Sequence, residues 1–224
     1  MSRPRLSHVL TSLLAGALGV ALVLILLELP AHSGLAEPVA EAMDRSGVGH
    51  EVTAVLLNFR GYDTFLELAV LLLAVWVAWS LGRQDPVPAR SVRGPVLRGT
   101  LRHLVPVAVL TGGYLVWVGA STTGGAFQGG AVLGAAGVML VLARPRSLPR
   151  VPRLGLRFVV ALGVLVFLAS GVGGLLGGHG FMGYHPDWAY ALIVAVELAA
   201  AVSIGLGLVL LFLGGRVQGD DDDH

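Results

Sequence analysis

The run WAYALIVAVELAAAVSIGLGLVLLFL, Trp188 to Leu213, holds one charged residue, Glu197, and no proline. It exceeds the roughly 20 apolar residues that a helix needs to cross a hydrocarbon core about 30 Å thick. The residue near its middle is as informative as its length. A carboxylate at the centre of a spanning helix costs about 2.5 kcal/mol or more on insertion scales, so it has to face protein and not lipid. Ala201 and Gly205 share its face at helical spacing, which turns the acid toward a helix–helix contact. Two readings stand for Glu197: a carboxyl hydrogen-bonded across that contact, and a group that relays a proton or a cation.

Working outward, the rest of the chain repeats this pattern. Of 224 residues 55% are hydrophobic and 13% charged, and the mean hydropathy is +0.79, whereas soluble domains carry about 25% charged residues. The sequence therefore predicts an integral membrane protein of the all-α class. Six segments are long and apolar enough to span: Val9 to Leu29, Phe65 to Leu81, Leu104 to Val118, Phe127 to Ala143, Phe158 to Leu176 and Trp188 to Leu213. The third and fourth are short and borrow flanking residues. The apolar run of the first is longer than the 7 to 15 residues of a signal-peptide core, and it reads as a retained span.

All 15 basic residues are arginines. Arg3 and Arg5 precede the first span, five follow the second, five follow the fourth, and Arg216 follows the sixth. Cytoplasmic flanks are enriched in basic residues, so this distribution predicts that both termini are cytoplasmic, in the cell membrane. Only Arg45 and Arg60 fall on the opposite side. The stretch RQDPVPARSVRGP, with three prolines and three arginines, cannot continue a helix. It divides the chain into a two-span module (1–82), a linker (83–95), a four-span module (96–215) and an acidic cytoplasmic tail (216–224). No repeat of the inverted transporter type is visible, which disfavours a self-contained carrier.

The glycine-rich GGAFQGG at 124–130 lacks the residue order and the strand-to-helix setting of a phosphate loop. Ala126, Gly130 and Gly134 recur every four residues and Gly137 follows, so small side chains line one face and allow a second helix to approach closely. The alternative is a re-entrant turn whose freed carbonyls and Gln128 line a polar path. Arg60, Asp63 and Glu67, at i, i+3 and i+7, fall within about 60° of arc on one helix face. Arg60 and Asp63 suit a structural ion pair. Glu67, with Asp63 and Glu197, is a candidate ion-path residue, since intramembrane acids face an interior or a cavity.

The histidines offer no ligand pattern. His103 sits at an arginine-rich span end, and His179 and His185 flank the last turn without metal-ligand spacing. No metal or cofactor site is expected. The chain has no cysteine, which excludes disulfides and thiolate chemistry. No nucleophile–base arrangement is visible, so the sequence does not read as an enzyme.

Two stretches carry a family resemblance. GYLVWVGASTTGGAFQGGAVLGAAGVML (Gly113 to Leu140) resembles the glycine-rich hairpin of the B subunit of Mrp-type (MnhB-like) multisubunit cation/proton antiporters. VTAVLLNFRGYDTFLELAVLLLAVWVA (Val52 to Ala78) resembles the C-terminal end of the A-type antiporter protein and the E-type protein of membrane-bound hydrogenases. The B-type hairpin commonly carries a His-Asn pair and a proline before its glycines. Here Ala120, Ser121 and Thr123 stand there instead, and any role of that histidine does not transfer. The resemblance implies an accessory subunit of a multisubunit Na+/H+ antiporter, with large antiporter-like subunits and the lipid bilayer as partners and no nucleic acid. A membrane-arm subunit of a complex-I-like hydrogenase is the alternative, and an autonomous channel or carrier a more distant one. With no lysine, the chain cannot host the Lys–Glu relay of the large subunits.

Overall fold

Helices dominate because a backbone in apolar surroundings must satisfy its own polar groups. A computed structural model describes residues 3–28, 34, 36–81, 95–143 and 153–214. Most of the Pro/Arg linker, Arg144, Arg146 and Arg150, and the acidic tail lie outside the described residues. The elements are α1 (Arg3–Glu28), α2 (Ala36–Ala42), α3 (Glu51–Ala54), α4 (Gly61–Leu81), α5 (Pro95–Val118), α6 (Ala126–Ala143), α7 (Arg153–Leu176) and α8 (Pro186–Phe212). A single 3₁₀ turn (Met43–Arg45) follows α2, and a π-helical turn (Val55–Phe59) joins α3 to α4. Four helical stretches are long and apolar enough to cross a membrane: Gly61–Leu81, Gly99–Val118, Leu154–Leu176 and Asp187–Phe212. Two more, Ser12–Ile25 and Ala126–Leu142, are apolar but shorter.

The chain divides into two units, Met1–Glu37 and Pro38–His224. In the first, α1 is a single helix with its apolar side chains from Ser12 to Ile25 exposed wherever they are described. In the second, α8 is the central element: α4, α5, α6 and α7 all pack on it. Its buried residues Ile193, Val196, Ala200, Ala201 and Ile204 meet Leu68 of α4, Val116 of α5 and Phe167 of α7 in one cluster. A smaller cluster of Val75, Val160 and Leu210 continues toward the other end.

The α6–α8 contact is a backbone-to-backbone approach. A Cβ on Gly130 would lie 3.0 Å from the carbonyl oxygen of Ala201 and 2.9 Å from Ile204, and one on Gly134 would lie 3.1 Å from Leu208 and 3.2 Å from the carbonyl oxygen of Gly205. From the other side, a Cβ on Gly205 would sit 3.3 Å from the Gly130 carbonyl. Gly137 continues the seam against Val209, and Ala126 is buried at its start. On the opposite flank, the Ser203 hydroxyl donates to the Val160 carbonyl of α7, and a Cβ on Gly163 would lie 3.0 Å from the Cα of Ala200.

The segment before α4 is more structured than a plain connection between helices. α3 and the π turn form a broken entry to α4, with the Arg60 N–H reaching back to the Val55 carbonyl at 2.7 Å. The irregularity frees two carbonyls. Thr64 Oγ1 donates to Leu56 at 2.7 Å, and Tyr184 of the α7–α8 loop donates to Leu57 at 3.1 Å. Burial raises the Tyr184 phenol above its ordinary range, against the lowering effect of a hydrogen bond with Ser170, so it remains a donor. Asn58 Nδ2 donates to the Ser46 carbonyl at 3.2 Å, and Tyr62 stacks on Phe181 at 4.7 Å between centroids.

Gly134→Leu drives a branched side chain into Leu208 and the Gly205 backbone, and overpacking of this kind costs about 1–3 kcal/mol. Gly173, on α7, has nothing within 4 Å of an added Cβ. Thermal unfolding of the purified chain should therefore show a lowered midpoint for Gly134→Leu and a near-wild-type one for Gly173→Leu. Equal midpoints would mean that α6 and α8 are not in close contact.

Candidate functional site

Glu197 stands eleven residues after the start of α8 at Pro186, about 16 Å along its axis. It is 3% exposed. What surrounds its carboxylate is the α5–α6 turn. A Cβ on Gly119 would lie 2.8 Å from Glu197 Oε1, and one on Gly125 would lie 3.0 Å from the same oxygen. The Ala126 N–H, at the first residue of α6, donates to the carboxylate. That N–H is one of the donors a helix leaves unpaired at its start, where the partial positive charge of the helix favours an anion. Glu197 Oε2 has no hydrogen-bond partner among the described residues.

The turn is held in place by its own backbone. The Gly125 N–H bonds the Leu115 carbonyl at 2.8 Å, and those of Ser121 and Thr122 bond the Val118 carbonyl at 2.9 and 2.8 Å. Gly125 has φ +121°, a conformation L side chains rarely adopt. The turn therefore lies well down the length of α8 instead of at its start, and its polar backbone is covered by protein. The Thr53 hydroxyl donates to the Gly119 carbonyl, the Gly49 N–H bonds the Ala120 carbonyl at 3.1 Å, and His50 Nδ1 lies 3.2 Å from Thr53 Oγ1. The segment before α4 thus closes over the α5–α6 turn.

The other sequence-predicted residues lie elsewhere. Arg60 and Asp63 form an ion pair at the start of α4, both partly exposed. Glu67 is exposed, at the edge of the α4 face that buries Thr64, Leu68 and Val75. The acids therefore do not converge: Glu197 is interior, and Glu67 and Asp63 are peripheral in the single chain. Ala201 is buried, and Gly205 is on the α6 seam. His179 and His185 approach edge to face at 5.3 Å. Among the described residues no group of three or more His, Asp or Glu could hold a metal.

The chain has known counterparts along most of its length. A family model, the domain related to the MnhB subunit of Na+/H+ antiporters, matches residues 96–217. The chain belongs to this family. Beyond the domain, the chain is 27% identical to a Rhizobium meliloti protein described as a probable K(+)/H(+) antiporter A/B subunit, across 96% of this chain and 25% of that one. It is also 27% identical to an uncharacterized protein of Methanocaldococcus jannaschii, across 71% of this chain and 72% of that one.

Among solved structures it resembles a chain of the Mrp complex of Dietzia sp., with a TM-score of 0.71 and 26% identity over 99% of this chain and 27% of that one. It also resembles a chain of an archaeal membrane-bound sulfane sulfur reductase, with a TM-score of 0.63 and 26% identity over 90% of this chain and 98% of that one. The chain thus spans about a quarter of the Rhizobium and Dietzia chains it matches. The MnhB-related domain contains the α5–α6 turn and Glu197, while α3 and α4 lie outside it.

Gly125→Ala places a Cβ both at a rarely allowed φ and against the Glu197 carboxylate. Strained backbone of this kind costs about 1–3 kcal/mol, so a clear fall in the unfolding midpoint is expected. An unchanged midpoint would show that the turn relaxes without cost.

Proposed function

We propose that this chain is an accessory membrane subunit of a multisubunit monovalent cation/proton antiporter. The observation that carries the reading is the likeness to the Mrp complex across 99% of the chain at 26% identity. It extends through the α3–α4 entry as well as the MnhB-related domain. Large antiporter-like subunits and other small hydrophobic subunits are its partners. The chain crosses the membrane six times with both ends cytoplasmic, as two modules joined by the Pro/Arg linker, and it contributes packing surface and acids rather than catalysis.

The exposed position of Glu67 supports a role at a subunit boundary. An acid within an apolar helix that finds no partner in its own chain needs one from outside. Glu67, without a partner among the described residues, therefore faces a neighbouring subunit or a hydrated path between subunits, with the Arg60–Asp63 pair beside it. The second reading, a membrane-arm subunit of a respiratory complex, is favoured by the match over 98% of a chain of the sulfane sulfur reductase complex.

Purification of the tagged chain with its partners separates the two. Large antiporter-like subunits without redox proteins are expected, and co-purifying nickel or iron–sulfur proteins would favour the respiratory reading. A reporter fused after His224 should be cytoplasmic, and one inserted near Glu41 external. A cytoplasmic signal at Glu41 would overturn the six-span arrangement. Glu67→Gln keeps the side chain's volume but cannot ionise. It should leave the complex assembled and lower cation/proton exchange in membrane vesicles, and wild-type exchange would remove Glu67 from the path.

A further inference from the structure

Among the described residues Glu197 is the one acid that the fold buries, and half of its carboxylate is unaccounted for. Oε1 faces the two glycines of the α5–α6 turn, with the Ala126 N–H donating to the carboxylate. Oε2 has no hydrogen-bond partner among the described residues, arginines and histidines included. Among the residues whose side chains are described, the titratable groups on the helices packed against α8 are Tyr62, Asp63 and Glu67 of α4, Arg102, His103 and Tyr114 of α5, and Arg157 of α7, all exposed or half-buried. On α8 itself, Asp187 and Tyr190 lie near its start. His50 approaches the turn through Thr53 and stops at the Gly119 carbonyl.

An unpaired oxygen on a buried carboxylate is strongly unfavourable, which favours a proton or a cation at Oε2. Its charge is set by the donors present. Divalent ions recruit several carboxylates or a full oxygen cage, and one acid supplies a single negative charge, which suits a monovalent species. The absent side chains of Gly119 and Gly125 let the carboxylate sit directly against the backbone of the turn, and Gln128, exposed at the start of α6, brings its amide oxygen to 3.4 Å from the point a Gly125 Cβ would occupy.

We infer that Oε2 of Glu197 is an exchange position that holds either a proton or an alkali cation, while the N-terminus of α6 anchors the rest of the carboxylate. The step balances as a displacement. The O–H bond at Oε2 breaks, its proton leaves as hydronium, and the incoming cation pairs with the carboxylate left behind. The reverse step returns the proton and releases the cation. This deepens the antiporter reading and rests on it for its physiological use.

Infrared difference spectroscopy on the full chain in lipid nanodiscs, with glutamate carboxyls labelled with carbon-13, reads the step directly. A buried carboxyl with few hydrogen bonds gives a high-frequency carbonyl band, apart from those of the exposed glutamates. At fixed pH, raising sodium or potassium tenfold, with choline holding ionic strength constant, should lower the ratio of protonated to ionised carboxyl by up to about tenfold. E197Q should remove the band. Should E197Q fail to fold, E197D, whose aspartate carries no label, should remove it in the same way.

A band that titrates identically in sodium, potassium and choline overturns the inference, as does a labelled band that survives either substitution. Co-purifying subunits do not enter this measurement. A chain found with redox proteins can still exchange ions at Glu197, and a chain found with antiporter subunits can still fail here.

Discussion

The close approach of α6 to α8 is the contact on which the folded unit depends. It puts glycine against backbone on both helices, and the packing that results is van der Waals in nature, since apolar side chains gain little from leaving lipid for protein. Because α8 also receives α4, α5 and α7, the position of α6 on α8 sets where the α5–α6 turn falls. That turn in turn sets what surrounds Glu197. The small-residue seam and the buried acid are therefore two results of one geometry. The seam draws the helices together, and the start of α6 arrives beside the carboxylate.

The depth of the turn has its own structural cost. Backbone that is neither helix nor closed sheet has to be hidden from lipid at this level. The segment from Ser46 to Arg60 does this, through Thr53, Gly49 and the π turn, and Thr64 and Tyr184 satisfy the carbonyls that the π turn frees. Irregular helix at such a position concentrates strain and polar groups where a regular helix would have neither. The broken entry to α4 and the α5–α6 hairpin fit one another, and neither would be stable in lipid without the other.

Much of the helical architecture is legible in the sequence, because apolar length is a strong signal and spanning segments have few alternatives. The helices mostly begin a few residues earlier than the apolar runs; α4 starts at Gly61, ahead of the run from Phe65. Charged and polar residues at such ends cost hydropathy without breaking the helix. The folded nature of residues 46–60 was not legible, because a short α-turn followed by a π turn has no periodicity of its own. The mostly apolar run VTAVLLNF, free of glycine and proline, is a hint, as is the family resemblance that begins there. The sequence turns Glu197 toward Ala201 and Gly205. The glycines that meet it come from a different part of the chain, and the depth of a turn cannot be read from the residues within it. For Glu67, periodicity groups it with Arg60 and Asp63 but does not say whether that face points into the chain or away from it.

The Tyr184 bond and the Tyr62–Phe181 stack lie at the end of the bundle where α7 finishes and α4 and α8 begin, and the ties made by Thr53 and Gly49 lie further in, at the α5–α6 turn. Helices fastened at one end behave as rods set in a clamp. Any tilt becomes a displacement that grows with distance from the clamp. For α5, with 24 residues and a length of about 36 Å, a tilt of about 5° carries the free end some 3 Å sideways while the clamped end scarcely moves. The polar ties of this chain are thus gathered toward Tyr184, and the remote end rests mostly on apolar packing such as that of Val75, Val160 and Leu210.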